Sequence, residues 1–283
     1  MTPSDHYAVF GHPISHSKSP RIHQLFARQL HDDIVYTAQD VRPECFEVAV
    51  RTFRAGGGKG LNCTVPLKEE AFRRADELSD RARLSGAVNT LMWRDEHLFG
   101  DNTDGVGLLR DLTLNLGLSL EDRRILILGA GGAARGILGP ILEQRPGEVV
   151  IANRTLSRAR ELARRFASLG TITAVGFDQL EAKPFDLILN ATAAGLKGEI
   201  PLLPDGLVAR GGCCYDLMYG DQPTPFVRWG KAQGAKLSTD GLGMLVEQAA
   251  EAYLIWRGRR PDTRPVIALL RQGGQPRQTE RKC

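Results

Sequence analysis

The stretch ILILGAGGAARG, residues 125–136, decides the fold of this chain. Four apolar residues, 125–128, predict a buried strand, and the pattern G-x-G-x-x-A leads directly into a predicted helix. In that context Gly129 permits a tight turn, Gly131 lets a pyrophosphate approach backbone N–H groups, and Ala134 lets helix and strand pack closely. A bare glycine pattern is a weak signal. The strand before it and the helix after it favour dinucleotide binding over a purely structural turn.

The end of the next predicted strand bears on which dinucleotide binds. Folds of this kind that select NAD carry an acidic residue about 20 positions after the glycines, whereas an arginine nearby accommodates the 2′-phosphate of NADP. Here the strand ends in Ala152, Asn153, Arg154 and Thr155, with no carboxylate. Arg154 and Arg158 together are suited to clamp a doubly charged phosphate. NADP is therefore favoured over NAD, although both arginines are also compatible with a solvated basic helix.

Strand and helix patterns alternate from this stretch in both directions. A chain of 283 residues exceeds the size of most single cores. The alternation predicts two α/β domains, the second with a Rossmann-type parallel sheet. We place the first domain at residues 1–104, the second at 105–239 and a disordered tail at 272–283, while the helical pattern 244–256 is compatible with packing on either domain. The predicted strands cover residues 7–10, 34–38, 60–65, 87–93, 98–100, 125–128, 149–152 and 187–189, and the predicted helices cover 20–30, 46–54, 68–83, 105–118 and 155–168.

Composition and charge exclude several classes of protein. Hydrophobic residues make up 42% and charged residues 25%, which is typical of a globular chain. The formal charge of +4 indicates a surface slightly favourable to anions and no nucleic-acid face. The five cysteines lack CxxC spacing, which argues against a disulfide framework or a zinc ribbon and favours a reducing compartment. Because no uncharged apolar stretch reaches roughly 18 residues, we expect a cytoplasmic protein without a membrane partner.

Three polar clusters follow predicted strands of the first domain, at residues 16–20, 62–68 and 100–105. Such strand ends are where α/β folds expose ligand-binding groups. Hydroxyl and amide groups dominate the clusters, and they suit a small ligand with several hydroxyls and a carboxylate better than a metal ion. Each cluster alone is equally compatible with turn and capping chemistry. Ser19, for example, precedes Pro20 as an N-cap residue would.

Lys68 and Asp104 in these clusters are candidates for proton transfer. Reduction of a carbonyl requires a proton donor beside the hydride acceptor, and a lysine paired with an aspartate can supply it. The alternative is an ordinary interdomain ion pair. We predict no metal site, because the N-terminal histidines lie on different elements without carboxylates at matching spacing, and we expect them in loops or at the surface. They are His6, His12, His16, His23 and His31.

An ordered series of segments resembles the shikimate dehydrogenase family of aromatic amino-acid (chorismate) biosynthesis. The segments span most of residues 7–256 and are jointly far more specific than any one motif. They are YAVFGHPISHSKSP from Tyr7, LNCTVPLK from Leu61, GAVNTL from Gly86, GDNTDG from Gly100, GAGGAARG from Gly129, NRT from Asn153, NATAAG from Asn190, YDLMY from Tyr215 and DGLGMLVEQAA from Asp240. The resemblance implies an NADP-dependent oxidoreductase, monomeric or homodimeric, that reversibly reduces 3-dehydroshikimate to shikimate.

The resemblance also assigns roles to individual residues. It implies that Ser17 and Ser19 hold the substrate carboxylate, that Lys68 and Asp104 form the catalytic pair, and that the last helix returns to the first domain. The implied contacts to the substrate ring and its hydroxyls are Asn62, Thr64, Asn89, Asp104, Tyr219 and Gln248. The implied cofactor contacts are Gly129, Ala130, Gly131, Gly132, Ala133, Asn153, Arg154, Thr155, Arg158, Thr192, Leu217, Gly241 and Met244.

Some positions depart from the commoner family pattern. Ala193 and Ala194 stand where serines are frequent, Cys63 lies between two implied substrate contacts, and Leu217 replaces a common methionine. These departures leave cofactor affinity and turnover open, but not the class of reaction. One alternative is a quinate/shikimate dehydrogenase of broader specificity, whose NAD-linked form Arg154 disfavours. The other is a non-catalytic NADP-binding sensor, which the presence of both members of the catalytic pair disfavours.

Overall fold

Two six-stranded sheets follow one another along the chain in the computed structural model, which describes residues 4–192 and 199–273. The predicted α/β class is confirmed. The first sheet is mixed, with strand order β2-β1-β3-β5-β6-β4, because β5 runs antiparallel to both β3 and β6. Its strands are β1 (Asp5–Gly11), β2 (Ile34–Asp40), β3 (Gly58–Cys63), β4 (Glu77–Leu78), β5 (Thr90–Arg94) and β6 (His97–Asp101), and its helices are α1 (Ser19–Leu30), α2 (Phe46–Ala55), α3 (Lys68–Arg74) and α4 (Asp80–Ser85).

The charged stretch 68–83 forms two short helices, not the single helix that its composition predicts. After α3 the backbone becomes extended at Ala75, and β4 pairs with β6. Ser79 then caps α4, since its side-chain oxygen accepts a hydrogen bond from the Ala82 N–H at 3.1 Å. Strand pairing and a new N-cap therefore override the helix propensity of the charged residues.

The first helix begins one residue earlier than the capping pattern predicts. Ser19 is itself the first residue of α1, so the N-cap position falls on Lys18, and Pro20 occupies the first turn. The Ser19 N–H donates a 3.3 Å hydrogen bond to Ser17 Oγ. The prediction of Ser19 as the N-cap is therefore wrong, although the proline remains where its fixed φ is tolerated.

The second sheet is entirely parallel. Read from one edge, its order is β9-β8-β7-β10-β11-β12, the 3-2-1-4-5-6 order of dinucleotide-binding folds. Residues 125–128 are fully buried at its centre, which explains their unbroken apolar run. The strands are β7 (Arg124–Leu128), β8 (Glu148–Asn153), β9 (Ile172–Gly176), β10 (Phe185–Asn190), β11 (Val208–Asp216) and β12 (Leu237–Asp240), and the helices are α6 (Gly132–Glu143), α7 (Leu156–Arg165) and α8 (Pro225–Ala232).

Three helices connect the two sheets or follow them. The predicted helix 105–118 consists of α5 (Asp104–Arg110) and a π-helical turn that ends at residue 115. The helical pattern 244–256 becomes α9 (Leu242–Arg257), which packs along α5 and against α1 and the first sheet. Near its end, Trp256 Nε1 donates a 3.0 Å hydrogen bond to the Leu91 carbonyl oxygen.

The final described helix, α10 (Arg264–Gly273), extends two residues into the range 272–283 that was predicted to be a disordered tail. Residues 272 and 273 are helical, so the prediction of a disordered tail from residue 272 starts too early. The remainder of that predicted tail lies outside the described residues. No helix in the described part of the chain combines the length and the apolar character needed to cross a bilayer.

His23 contradicts the expectation of loop or surface histidines. Its side chain on α1 is fully buried, and its ring stacks on Tyr36 with centroids 4.1 Å apart and planes within 5°. The rings of Phe26, Tyr253 and Trp256 complete the surrounding aromatic cluster. Burial lowers the pKa of His23 to about 3, with the nearby Asn62 side chain acting weakly in the opposite direction. His23 is therefore a neutral core residue.

We expect His23 to make the protein acid-sensitive. Its pKa is depressed in the native state, so below about pH 6.5 the unfolded chain binds a proton that the native protein does not. The native state should lose up to about 1.4 kcal/mol of unfolding free energy per pH unit as the pH falls from about 6 towards 4. Urea unfolding from pH 7.5 to 4.5 should therefore show a shallower pH dependence for His23→Leu than for wild type. His97→Leu, at an exposed histidine on β6, is the matched control and should keep the wild-type slope; equal slopes for all three proteins would contradict the assignment.

Candidate active site

The predicted site residues lie at strand ends and helix starts of the two sheets, whose halves are in contact through α5 and α6. Lys68 is the first residue of α3, and Asp104 is the first residue of α5, the helix that leaves the first sheet. Their side chains meet, with 2.5 Å between Lys68 Nζ and Asp104 Oδ2. The Asp104 side chain is 8% exposed and the Lys68 side chain 22%, so the ion pair is largely withdrawn from water.

Asp104 also contacts the first helix of the second sheet. A Cβ atom added to Gly136 on α6 would lie 3.3 Å from Asp104 Oδ2. On the same side, Arg135 of α6 forms an ion pair with Glu69, the neighbour of Lys68. The pair of Lys68 and Asp104 therefore lies at the junction of the two halves of the molecule, where a ligand held by one half can meet a ligand held by the other.

Asn89 links several predicted site residues. Its Nδ2 donates to Asp104 Oδ1 at 2.8 Å and to Thr103 Oγ1 at 2.9 Å, and its Oδ1 accepts from the Thr103 N–H at 2.9 Å. Gln248 reaches the same group from α9, with Oε1 3.3 Å from Thr103 Oγ1. Asn89, Thr103 and Asp104 are all buried. The Asn89 amide therefore orients both the Asp104 carboxylate and the Gln248 side chain.

Asn62 is held by protein groups on both ends of its amide. Its Oδ1 accepts a 2.6 Å hydrogen bond from the Tyr36 hydroxyl, and its Nδ2 lies 3.1 Å from both the Asn89 carbonyl oxygen and Thr90 Oγ1. Burial raises the pKa of Tyr36 well above its ordinary value, which keeps the phenol protonated as a donor. Tyr36 was not identified from the sequence. The alternating pattern of β2 predicts that Tyr36 points inward, but it does not predict that its hydroxyl binds Asn62.

The remaining predicted substrate contacts surround this group. Ser17 and Ser19 follow β1, and Thr64 follows the adjacent strand β3, so these residues lie at one edge of the first sheet. Tyr219 follows β11 and packs against the cluster formed by α1 and α9, where burial raises its pKa. Lys18, between the two serines, forms a 2.8 Å ion pair with Asp221 and so ties the loops of the two halves together.

The glycine loop has the form that its sequence predicts. Gly129 adopts φ = +102°, and a Cβ atom there would lie 3.0 Å from the Ala191 carbonyl oxygen. At Gly131 an added Cβ would meet no atom within 4 Å, and α6 begins at the next residue. The loop thus presents open space to the N-terminus of α6, where backbone N–H groups and the helix dipole favour a phosphate. Ala130 lies in the loop itself, and Ala133 is the second residue of α6.

The predicted 2′-phosphate contacts lie together at the end of β8. Asn153 is its last residue, and its Nδ2 donates to the Thr155 carbonyl oxygen at 2.9 Å. Arg154 and Arg158 are exposed, and within residues 4–192 and 199–273 neither forms an ion pair with a carboxylate. Two cations without acidic partners at this edge fit a group that carries a phosphate beyond the ribose.

The other predicted cofactor residues lie at the ends of the neighbouring strands. Thr192 Oγ1 donates to Asn190 Oδ1 at 2.7 Å, and the Leu217 N–H donates to the Asn190 carbonyl oxygen at 2.9 Å. Gly241 precedes α9, and Met244 lies in its first turn. All four therefore border the same edge of the second sheet as the glycine loop.

Three family profiles match the chain in order. They describe the substrate binding domain of shikimate dehydrogenase over residues 9–91, shikimate / quinate 5-dehydrogenase over 112–197, and the C-terminal domain of shikimate 5′-dehydrogenase over 241–271. A relative from Methylococcus capsulatus, named shikimate dehydrogenase (NADP(+)), is 61% identical over 271 residues, which span 95% of this chain and 97% of the relative. This chain belongs to the shikimate dehydrogenase family.

Solved structures of similar proteins share the architecture. An Ael1 enzyme from Pseudomonas putida superposes with a TM-score of 0.87 at 46% identity, over 94% of this chain and 98% of its own. Shikimate 5-dehydrogenase from Thermus thermophilus, in complex with NADP(H) and shikimate, superposes with a TM-score of 0.84 at 36% identity, over 95% of this chain and 99% of its own.

Two departures from the common shikimate dehydrogenase pattern can be placed. Cys63 is fully buried, and burial raises the pKa of its thiol, so the thiol is an inert packing group beside Asn62. Leu217 is partly buried and packs against the core of the second sheet. Ala193 and Ala194 lie outside the described residues.

Gly129 and Gly131 of the loop should respond differently to substitution by alanine. Gly129→Ala places a side chain in left-handed backbone and against the Ala191 carbonyl, so we expect a loss of roughly 1–2 kcal/mol of unfolding free energy. Gly131→Ala, the matched control, should unfold at the wild-type temperature but bind dinucleotide more weakly, because its methyl group points into open space. Differential scanning fluorimetry and cofactor titration measure the two effects. Identical unfolding temperatures for both variants would contradict this account.

Proposed function

We propose that this chain catalyses the reversible reduction of 3-dehydroshikimate to shikimate with NADPH. The observation that carries the proposal is the ion pair of Lys68 and Asp104, set among amide and hydroxyl groups where α5 packs against α6. Membership of the shikimate dehydrogenase family and the activity named for its relatives support it. The corresponding place in metabolism is aromatic amino-acid biosynthesis.

We assign substrate binding to residues 1–104 together with 240–271, and dinucleotide binding to 105–239. The packing of α9 on α1 and on the first sheet supports the inclusion of 240–271. The glycine loop and the strand order of the second sheet support the assignment of 105–239. In this arrangement a substrate on the first sheet faces a cofactor on the second.

The substrate is oriented by two sets of groups. Ser17 and Ser19 take the carboxylate, since their hydroxyls can donate hydrogen bonds to an anion. The ring and its hydroxyls contact amide, hydroxyl and phenol side chains, each of which donates or accepts a hydrogen bond. These side chains are Asn62, Thr64, Asn89, Tyr219 and Gln248.

Lys68 is the proton donor in the direction of reduction. Its Nζ gives a proton to the substrate carbonyl oxygen as the carbonyl carbon is reduced, which converts C=O to CH–OH. Bound NADPH supplies the hydride for this reaction, and NADP accepts it in reverse. Asp104 Oδ2 holds the lysine in place, and the 22% exposure of the Lys68 side chain allows reprotonation from water. In the oxidation of shikimate the step runs in reverse, and the hydroxyl proton returns to Lys68 Nζ.

The residues of the second sheet fit NADP. The glycine loop from Gly129 to Ala133 would receive the pyrophosphate, and Arg154 and Arg158 would receive the 2′-phosphate, with Asn153 and Thr155 shaping that edge. Thr192, Leu217, Gly241 and Met244 would border the nicotinamide end. The absence of a carboxylate at the end of β8 supports NADP over NAD.

We place the enzyme in the cytoplasm as a monomer or homodimer with a small-molecule substrate and no nucleic-acid or membrane partner. The cysteines Cys45, Cys63, Cys213 and Cys214 are free thiols, which supports a reducing compartment. The modest net charge of +4 supports a small anionic substrate over nucleic acid.

The direct test follows NADPH formation at 340 nm with purified protein and shikimate, in parallel with quinate and with NAD. Rapid reduction of NADP by shikimate, with little reaction from quinate or NAD, is the expected result. Comparable rates with quinate would indicate the broader quinate/shikimate activity. Tight NADP binding without turnover would overturn the proposal and favour a non-catalytic sensor.

Lys68→Ala should lower kcat by about 10²–10⁴-fold, the range of general acid–base catalysis, with little change in NADP affinity. Lys59→Ala, at an exposed lysine on β3, is the matched control and should keep wild-type kcat. Steady-state kinetics and cofactor titration measure both quantities. Undiminished turnover in Lys68→Ala would remove the lysine from the mechanism.

Arg154→Gln should raise the KM for NADP by roughly 10-fold or more while leaving the KM for NAD unchanged, because only NADP carries the 2′-phosphate. Arg160→Gln, at an exposed arginine further along α7, is the control and should leave both constants near wild type. A similar rise for NAD and NADP would show that Arg154 does not recognise the 2′-phosphate.

A further inference from the structure

A tyrosine–aspartate pair lies beneath the first turn of α9 and takes no part in the mechanism above. Tyr215 is the penultimate residue of β11, and 1% of its surface is exposed. Its hydroxyl donates to Asp111 Oδ2 at 2.7 Å and accepts a 3.2 Å hydrogen bond from the Met244 backbone N–H. One hydroxyl therefore joins the second sheet, the π-helical turn after α5, and α9.

The hydrogen bond from Met244 fills a gap in the capping of α9. The N-cap residue, Gly241, has no side chain to accept from the first-turn N–H groups, which lack partners within the helix. Met244 is the third residue of the helix, the position whose N–H an N-cap side chain ordinarily binds. Tyr215 supplies that acceptor from another element, so the cap fixes α9 in space as well as closing its end.

Asp111 holds the hydroxyl in this position. The carboxylate is 2% exposed, and its Oδ1 accepts from Asn115 Nδ2 at 3.0 Å. A Cβ atom added to Gly243 would lie 2.2 Å from Asp111 Oδ2, so the helix backbone rests directly on the carboxylate. A buried carboxylate keeps its donors because losing one leaves a polar group unsatisfied. The position of the first turn of α9 is therefore fixed by contact with the Asp111 carboxylate and by the hydrogen bond to the Tyr215 hydroxyl.

We propose that Tyr215 is a positioning residue for hydride transfer. Asp111 orients its hydroxyl, and the hydroxyl fixes the position of the first turn of α9. The inference rests on the proposed function. α9 carries Met244, at the nicotinamide end of the proposed cofactor site, and Gln248, which contacts the cluster around Asn89. Residues four apart lie on one face of a helix, so a shift of the first turn moves both together. Tyr215 acts through the helix and touches neither ligand.

Tyr215→Phe removes only the hydroxyl. We expect kcat to fall roughly 10- to 100-fold, since small displacements of positioned groups carry penalties of this size, while the KM for shikimate and the Kd for NADPH change less than about threefold. The isotope effect on kcat with cofactor deuterated at the transferred hydrogen should increase, because hydride transfer becomes rate-limiting. Hydrogen exchange of residues 242–246 should accelerate.

The matched control lies on the same helix. The Tyr253 hydroxyl donates to Asp32 Oδ2 at 2.6 Å near the other end of α9, so Tyr253→Phe also breaks a tyrosine–aspartate bond. It should lower the unfolding temperature without changing kcat, the isotope effect or exchange at 242–246. Asp111→Asn keeps an oxygen to accept from Tyr215 and should retain kcat within about threefold of wild type, whereas Asp111→Ala should match Tyr215→Phe.

Two results would overturn the inference: wild-type kcat and isotope effect in Tyr215→Phe, or an equal loss of kcat in Tyr253→Phe. If Tyr215→Phe does not fold, Asp111→Ala carries the same test, and retained kcat there overturns it. An inactive wild-type protein would contradict the proposed function instead. In that case hydrogen exchange still tests whether Tyr215 caps α9, because it does not depend on turnover. Unchanged exchange of residues 242–246 in Tyr215→Phe would exclude the cap.

Discussion

A carboxylate that loses almost all contact with water must be paired, and the site is built around that requirement at Asp104. Lys68 satisfies one of its oxygens and Asn89 the other, while Gly136 brings the second sheet's first helix against it. Lys68 and Asn89 come from different elements of the first half, so the pairing fixes the Lys68 side chain, and the approach of Gly136 places the same carboxylate against the second half. Removing one partner leaves a buried charge without compensation, which ties the chemistry of the site to the integrity of the junction.

Much of the fold was predictable from local rules. The run of residues 125–136 satisfies strand, turn and helix requirements at once, and the parallel sheet follows from the alternation around it. The misses have physical causes. Strand β12 is four half-buried residues without alternation, and β11 contains two glycines and two cysteines, so neither shows a strand pattern. The split of 68–83 depended on pairing between β4 and β6, which no local propensity encodes.

The site was predictable in its residue types but not in its connections. Lys68 and Asp104 follow from chemistry and strand-end position, and the structure brings their side chains together. Tyr36 and His23 were missed or misplaced, because their surroundings combine β2, α1 and α9, which are distant in sequence. Periodicity identifies a buried face but not which side chain from another element completes it. The ligand contacts of all the site residues, Lys68 and Asp104 included, stay predictions.

The length of α9 limits how this protein can be recombined with its relatives. The helix starts on the second sheet, capped by Tyr215, and ends on the first, where Trp256 binds the Leu91 carbonyl oxygen. A chimera joined at residue 240 takes the cap from one parent and the helix from the other. Each sheet has its own core, but α9 makes hydrogen bonds to both halves. A segment exchanged between relatives should therefore include α9 together with Tyr215 and Leu91, the residues that hold its two ends.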